Sequence, residues 1–169
     1  GALASAGEGE GEGRLTEPES VVKQALAIVR QAGTRTPQTN TLLAGRRVLV
    51  TAGPTCEDLD PVRTLTNRSK GKMGFAVAAA ARDLGAAVVL VTGPTHLPDP
   101  PGVTTLRVRS ADEMRDAVMT QLTSRGEARR ADIVVMAAAV SDYKPVKSAR
   151  HKIKKSDGPH ELVLARTPD

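Results

Sequence analysis

The sequence predicts an α/β fold, a doubly wound (Rossmann-like), mostly parallel sheet with a C-terminal β-hairpin. Two observations predict it, and a third says where such a sheet would bind. Short Val- and Leu-rich runs alternate with stretches of helical length in the order β-α-β-β-α-β. Aromatic residues are nearly absent, with Phe75, Tyr143 and no Trp, so Ala, Val and Leu must build the core. Such a core suits strands buried on both faces. The first apolar run also opens into a long loop, and open α/β sheets hold their ligands beyond the carboxyl ends of strands.

Arg46–Thr51 (RRVLVT) reads as a short buried strand, and Met73–Leu84 as an Ala-rich helix closed by Gly85. A second strand is expected at Ala87–Thr92 and, after a Pro-rich loop, a third at Val103–Val108. Ser110 and Glu113 form an S-x-x-E capping box for a helix running to about Arg125. A strand at Ile133–Ala137 then opens into AVSDYKP. Last, His151–Lys155 and Glu161–Ala165 flank SDGPH as the arms of a hairpin.

Ahead of this lies a different composition. Residues 1–14 (GALASAGEGEGEGR) alternate Gly with Glu and cannot bury apolar surface. Thr16 and Glu19 form another capping box, Pro18 suits a first turn, and Val22, Leu26 and Val29 recur at helical spacing up to Gly33. Residues 34–44 read as a linker. The chain reaches Asp169 on a hairpin with no final helix, which predicts a piece of a longer protein.

The excess of 24 Lys and Arg over 19 Asp and Glu gives a net charge of +5. The basic residues cluster at 63–72 and 144–155, while aromatic platforms for single-stranded nucleic acid are missing. A phosphate-bearing small molecule is the better partner; nucleic acid is not expected. A single cysteine, Cys56, excludes an internal disulfide and offers no zinc pattern. No apolar run is long enough for a membrane helix and no signal peptide is visible, so the expected location is cytoplasmic.

Three segments carry chemistry. Residues 51–74 (TAGPTCEDLDPVRTLTNRSKGKMG) fit neither phosphate-binding glycine motif: Gly53 stands alone at the turn, Thr66 takes the place of the first P-loop glycine, and Met73 follows Lys72. Ser69, Gly71 and Gly74 nevertheless precede a helix N-terminus that favours an anion, with Arg63, Arg68, Lys70 and Lys72 around it. A long surface loop bearing solvated cations is the alternative. In MAAAVSDYKP, residues 136–145, small residues let a planar base approach the backbone and Asp142 can take a hydroxyl or a metal; a plain strand-to-turn junction would look the same. In HKIKK, residues 151–155, a strand would put Lys152 and Lys154 on one face, suiting a polyphosphate or a charged edge that prevents aggregation.

Together GRRVLVTAGPT, DPVRTLTNRSKGKMG, ADIVVMAAAVSDYKP, KIKK and the closing TPD resemble the synthetase domain of the bifunctional bacterial phosphopantothenoylcysteine decarboxylase/synthetases. The likeness runs over residues 45–169. It implies a ligase of coenzyme A biosynthesis that condenses 4′-phosphopantothenate with L-cysteine, with CTP and Mg2+ activating the carboxylate as an acyl-cytidylate. The resemblance implies that Lys152 contacts CTP and supports catalysis, that Met136, Ala137 and Ala138 line the nucleotide, and that Asp142 binds it or its metal. Asn67 is expected to hold the acyl-cytidylate, with Arg63 at the phosphopantothenate site or a dimer interface. Thr167, Pro168 and Asp169 stand where the family usually has Asn-Pro-Asp, a further nucleotide contact. A homodimer of synthetase domains within a larger oligomer is also implied.

LASAGEGEGEGRLTEPESVV resembles the tail of the fused flavin-dependent decarboxylase, so residues 1–33 are expected to be its remnant. The family's proton-donating Cys is absent, with Ser5, Ala6 and Gly7 in its region, and FMN would belong only to the missing decarboxylase body. No decarboxylation by this chain is expected, and the nucleotide-binding part at 45–169 is expected to be weak or inactive alone. The alternatives are a nucleotide-binding fragment without chemistry and a nicotinamide-dependent oxidoreductase; the absent glycine fingerprint argues against the latter.

Overall fold

β1 (Arg47–Ala52) occupies an inner position of the main sheet because its sequence, RVLVTA, is largely apolar on both faces. A computed structural model describes residues 41–123, 130–155, 157–158 and 160–168, all within one compact unit, Asn40–Asp169. The expected helix from Thr16 and the Gly-Glu stretch lie outside the described residues.

The strands β2 (Cys56–Asp60) and β3 (Arg63–Thr66) lead to the helix α1 (Lys72–Asp83), then to β4 (Ala87–Thr92) and β5 (Thr104–Arg107). The helix α2 (Ala111–Thr123) precedes β6 (Ile133–Met136), and the short strands β7 (Tyr143–Pro145) and β8 (Leu164–Arg166) close the order. The main sheet runs β5-β4-β1-β6, and each neighbouring pair is parallel. The expected doubly wound α/β architecture is therefore present.

Alternation along β1 divides the core. Val48, Val50 and Ala52 pack with Phe75, Ala78 and Ala81 of α1. Leu49 faces the other way, with Val89 and Val91, onto Met114 and Val118 of α2. Leu49 and Leu90 are fully buried, each contributing about 2 kcal/mol of apolar transfer. α1 closes in a Schellman turn: Ala86 donates its N–H to Ala81 O at 3.1 Å, and Gly85, at φ 90°, donates to Arg82 O at 2.8 Å. At the start of α2, Ser110 Oγ accepts from Glu113 N–H at 3.1 Å, while the Glu113 carboxylate accepts from Arg109 N–H at 2.7 Å.

Two expectations need correction. The loop 51–74 contains the antiparallel β2–β3 ribbon, which its acidic sequence CEDLD concealed because Asp and Glu are poor strand formers. The ribbon is held by side chains: buried Glu57 accepts the N–H of Ala111 at the start of α2, and Asp58 pairs with Arg109. The C-terminal antiparallel pair exists, but it joins Tyr143–Pro145 to Leu164–Arg166. Residues 151–155 are not a strand, because the peptide groups of Ile153 are bonded to Asp60 and Arg63 instead of to a neighbouring strand.

Candidate functional site

The chain leaves β1 through α1 to β4 and β5, then returns through α2 to β6 on the opposite side of β1. The strand order reverses between β1 and β6, and crevices at such reversals hold ligands in open α/β sheets. Residues 53–55 and 137–141 leave the sheet here and are sewn together. Thr51 Oγ1 accepts from the N–H groups of Ala137 at 3.1 Å and Ala138 at 3.2 Å. Ala139 donates to Gly53 O at 2.8 Å, and Ser141 donates to Thr55 Oγ1 at 2.9 Å. These four donors face the β1 side, so a ligand over residues 137–140 meets carbonyls and small side chains.

Asn67, just after β3, donates its side-chain amide to Ala139 O at 3.0 Å and Val140 O at 3.1 Å. That bond pair ties the ribbon to the strand-end loop.

Two clefts gather the candidate residues. The first, about 350 Å³, lies between α2 and the loop after β6. Met114, Val118, Met119 and Met136 give it apolar walls, and Arg115, Asp142, Thr167 and Pro168 supply polar groups and a rim. Thr167 is fixed there by donating its N–H to Asp142 O at 3.0 Å and its hydroxyl to Ser141 O at 2.6 Å. Polarizable thioethers beside one exposed carboxylate suit a flat apolar ring that carries hydroxyl groups.

The second cleft, about 670 Å³, is lined by Arg63, the whole run Lys152–Lys155, Gly158 and His160. Arg63 arrives from the start of β3 and the lysines from 90 residues later; Arg63 Nη2 donates to Ile153 O at 2.7 Å. Beneath them is Asp60, whose side chain is fully buried. Burial opposes its ionisation, but hydrogen bonds from Arg63 and from the backbone of Ile153 and Val62, with the Arg63 charge, outweigh it. The Asp60 carboxyl is held well below the usual carboxylate range.

The glycines at the start of α1 have a packing role. A Cβ on Gly74 would lie 2.5 Å from Ala52 Cβ and 2.7 Å from Thr51 O, so the helix rests directly on β1. Gly71, at φ 76°, backs onto Gly53. Arg68, Lys70 and Lys72 are exposed and lie outside the lining of both clefts.

The family model of the DNA/pantothenate metabolism flavoprotein C-terminal domain matches residues 43–169. The chain belongs to this family. Its curated relatives include the coenzyme A biosynthesis bifunctional protein CoaBC of Bacillus subtilis, 44% identical over 94% of this chain and 36% of the relative. The protein of the same name from Vibrio cholerae is 46% identical over 94% of this chain and 37% of its own length. A crystal structure of the C-terminal domain of a CoaBC superposes with a TM-score of 0.63 at 44% identity, over 76% of this chain and 57% of that one. The chain thus spans little more than a third of the curated relatives it matches.

In this flavoprotein C-terminal domain, Met136, Asp142, Thr167 and Pro168 share the first cleft, and Arg63 and Lys152 share the second. Asn67 joins the strand-end loop by its hydrogen bonds, and Ala137 and Ala138, whose N–H groups face Thr51, present their carbonyl side. Asp169 lies outside the described residues. Sequence reasoning missed Thr51, Asp60 and the α2 side chains Arg115 and Met119. Asp60 did carry a signal: Asp before Pro, with Arg three residues on, marks a turn in which the carboxylate bonds its own backbone. Among the described residues no group of three or more His, Cys, Asp and Glu could hold a metal, and no helix is long and apolar enough to cross a membrane.

Proposed function

We propose that this chain carries the phosphopantothenate–cysteine ligase part of a coenzyme A biosynthesis enzyme, acting in the cytoplasm. The observation that carries the reading is the second cleft, where Arg63 and three lysines of one pentapeptide converge around a polyphosphate-sized space. Family membership and relatives named CoaBC support the same assignment.

In this reading the carboxylate of 4′-phosphopantothenate attacks the α-phosphorus of CTP. A C–O–P bond forms, the α–β anhydride breaks, and pyrophosphate leaves. The amine of L-cysteine then attacks the acyl carbon, CMP departs, and the amine proton is released. Negative charge builds on the phosphoryl oxygens in the first step, so a fixed cation is the main requirement, and Lys152 supplies it. Arg63 holds the phosphorylated substrate. The Met-lined cleft takes the nucleoside, with Met136 in its wall and Asp142 and Thr167 at its rim, and the backbone of Ala137 and Ala138 lines the nucleotide further along the same loop. Asn67 has committed its amide hydrogens to Ala139 and Val140, so it meets the acyl-cytidylate through its side-chain oxygen.

Mg2+ fits as a companion of the triphosphate, since such ions are held by one or two carboxylates plus substrate phosphates. Asp142 is the carboxylate that would hold it, and the ion would neutralise charge on the triphosphate. Two such domains would pair as a homodimer within the larger oligomer of the full-length protein.

Calorimetry on the chain with CTP, ATP and NAD⁺ tests the ligand: weak, CTP-selective binding is expected, and preference for NAD⁺ would overturn the reading. Pyrophosphate release that requires both CTP and 4′-phosphopantothenate tests the reaction on the full-length protein.

A further inference from the structure

We infer that Asp60 is the positioning residue of the basic segment 151–155, fixing where Lys152 and Lys154 present their ammonium groups. The inference rests on the reading of the second cleft as a polyphosphate site.

The carboxylate of Asp60 is fully shielded and accepts five hydrogen bonds. Oδ1 accepts the N–H groups of Val62 and Arg63, both at 2.9 Å. Oδ2 accepts Arg63 Nε at 2.9 Å, Arg63 Nη2 at 2.5 Å and Ile153 N–H at 3.0 Å. A carboxylate so occupied has little capacity left for a ligand, so its effect is on the protein around it.

That effect converges on one peptide. Asp60 accepts the N–H of Ile153, and Arg63, itself held by Asp60, donates to the Ile153 carbonyl at 2.7 Å. The two side chains do for Ile153 what a neighbouring strand would do in a ladder, and among the described residues no strand performs it: β8 pairs with β7, not with 151–155. Ala149 donates to Leu59 O at 2.9 Å, a further tether upstream of the lysines. Within the segment, Ile153 is half-buried while Lys152, Lys154 and Lys155 are exposed. Their like charges would drive them apart into solvent if the backbone between them were loose. Anchoring at Ile153 holds these lysines at the cleft wall before any anion arrives, which is preorganisation.

Residue-resolved amide exchange on the whole chain is the first arm of the test. In Asp60→Asn, exchange at Ile153 should accelerate about tenfold or more, the scale of losing one charge-assisted bond, while Leu49 and Val89 stay protected. Unchanged protection at Ile153 overturns the inference. The second arm is binding of inorganic tripolyphosphate. Asp60→Asn should weaken it about tenfold in the parent, and by little more once Lys152 and Lys154 are both changed to Gln. Full additivity would mean that Asp60 does not act through the lysines, and overturns the inference.

If Asp60→Asn fails to fold, Ile153→Pro removes the N–H that donates to Asp60 while leaving the carboxylate in place, and should produce the same loss of tripolyphosphate affinity. Undiminished affinity in that variant is equally fatal. Should the parent bind no tripolyphosphate at all, the functional reading of the cleft falls, and the exchange arm by itself still decides the anchoring role of Asp60.

Discussion

Asn67 donates its side-chain amide to the carbonyl of Ala139 at 3.0 Å, across 72 residues of sequence. A second bond reaches Val140 O at 3.1 Å. The residue therefore couples the β2–β3 ribbon to the loop that follows β6, at the point where the strand order reverses. These bonds give Asn67 a part in holding that junction together, and the proposed function would add a role at the reacting centre.

Replacing Asn67 with Asp tests this coupling. The carboxylate would face two carbonyl oxygens with no hydrogen to donate. We expect a loss of about 1 kcal/mol in urea unfolding, at the low end for a hydrogen-bonded group because the site is exposed. Nucleotide affinity should fall in the same variant. Stability equal to the parent would show that the two bonds carry no weight in solution.

Lys152→Gln should weaken CTP binding by about 1–3 kcal/mol, the scale of a charge-assisted contact, without changing the circular dichroism spectrum. Calorimetry reads it directly. Parent-like binding would leave the lysines as a solvated charged segment.

Gly74 lies within α1, where Ala normally gains about 1 kcal/mol of helix propensity. Here the added Cβ would lie 2.5 Å from Ala52 Cβ and 2.7 Å from backbone oxygen, and neither neighbour can swing away. Overpacking, worth about 1–3 kcal/mol, should win, so Gly74→Ala is expected to lower the melting temperature. A rise would mean that the helix can lift off β1 at small cost.

Asp60 should make stability pH-dependent on the acid side. Its carboxyl titrates in the folded chain well below 3.8, the ordinary value that applies once the chain unfolds. As pH falls through that ordinary value, the unfolded chain takes up a proton that the folded chain refuses, so stability drops. The contribution is complete above about pH 5 and disappears as pH approaches the depressed folded value. Urea midpoints at about pH 6 and about pH 3 should differ less in Asp60→Asn than in the parent. Equal differences would show that the five bonds do not perturb the group.

The sequence by itself determined the elements whose signals are local. β1 and β4 are runs of apolar residues that a buried parallel sheet accommodates, β6 is an apolar run that pairs with β1 yet stays largely exposed, and the observed bounds differ from the expected ones by a residue or so. Ser110 with Glu113, and Gly85 after Leu84, mark helix ends through bonds that span a few residues. The same locality explains why MAAAVSDYKP and KIKK stood out.

Only the tertiary structure decided how these pieces meet. CEDLD looks like a loop because its strand depends on Glu57 capping α2 and Asp58 pairing with Arg109, partners about 50 residues away. KIKK looks like a hairpin arm because it and Glu161–Ala165 flank SDGPH, yet Asp60 and Arg63 claim the Ile153 peptide first. Leu164–Arg166 then pairs with Tyr143–Pro145. A buried carboxylate that can satisfy five donors outweighs the weak strand preference of a lysine-rich pentapeptide, and nothing within that pentapeptide announces the carboxylate.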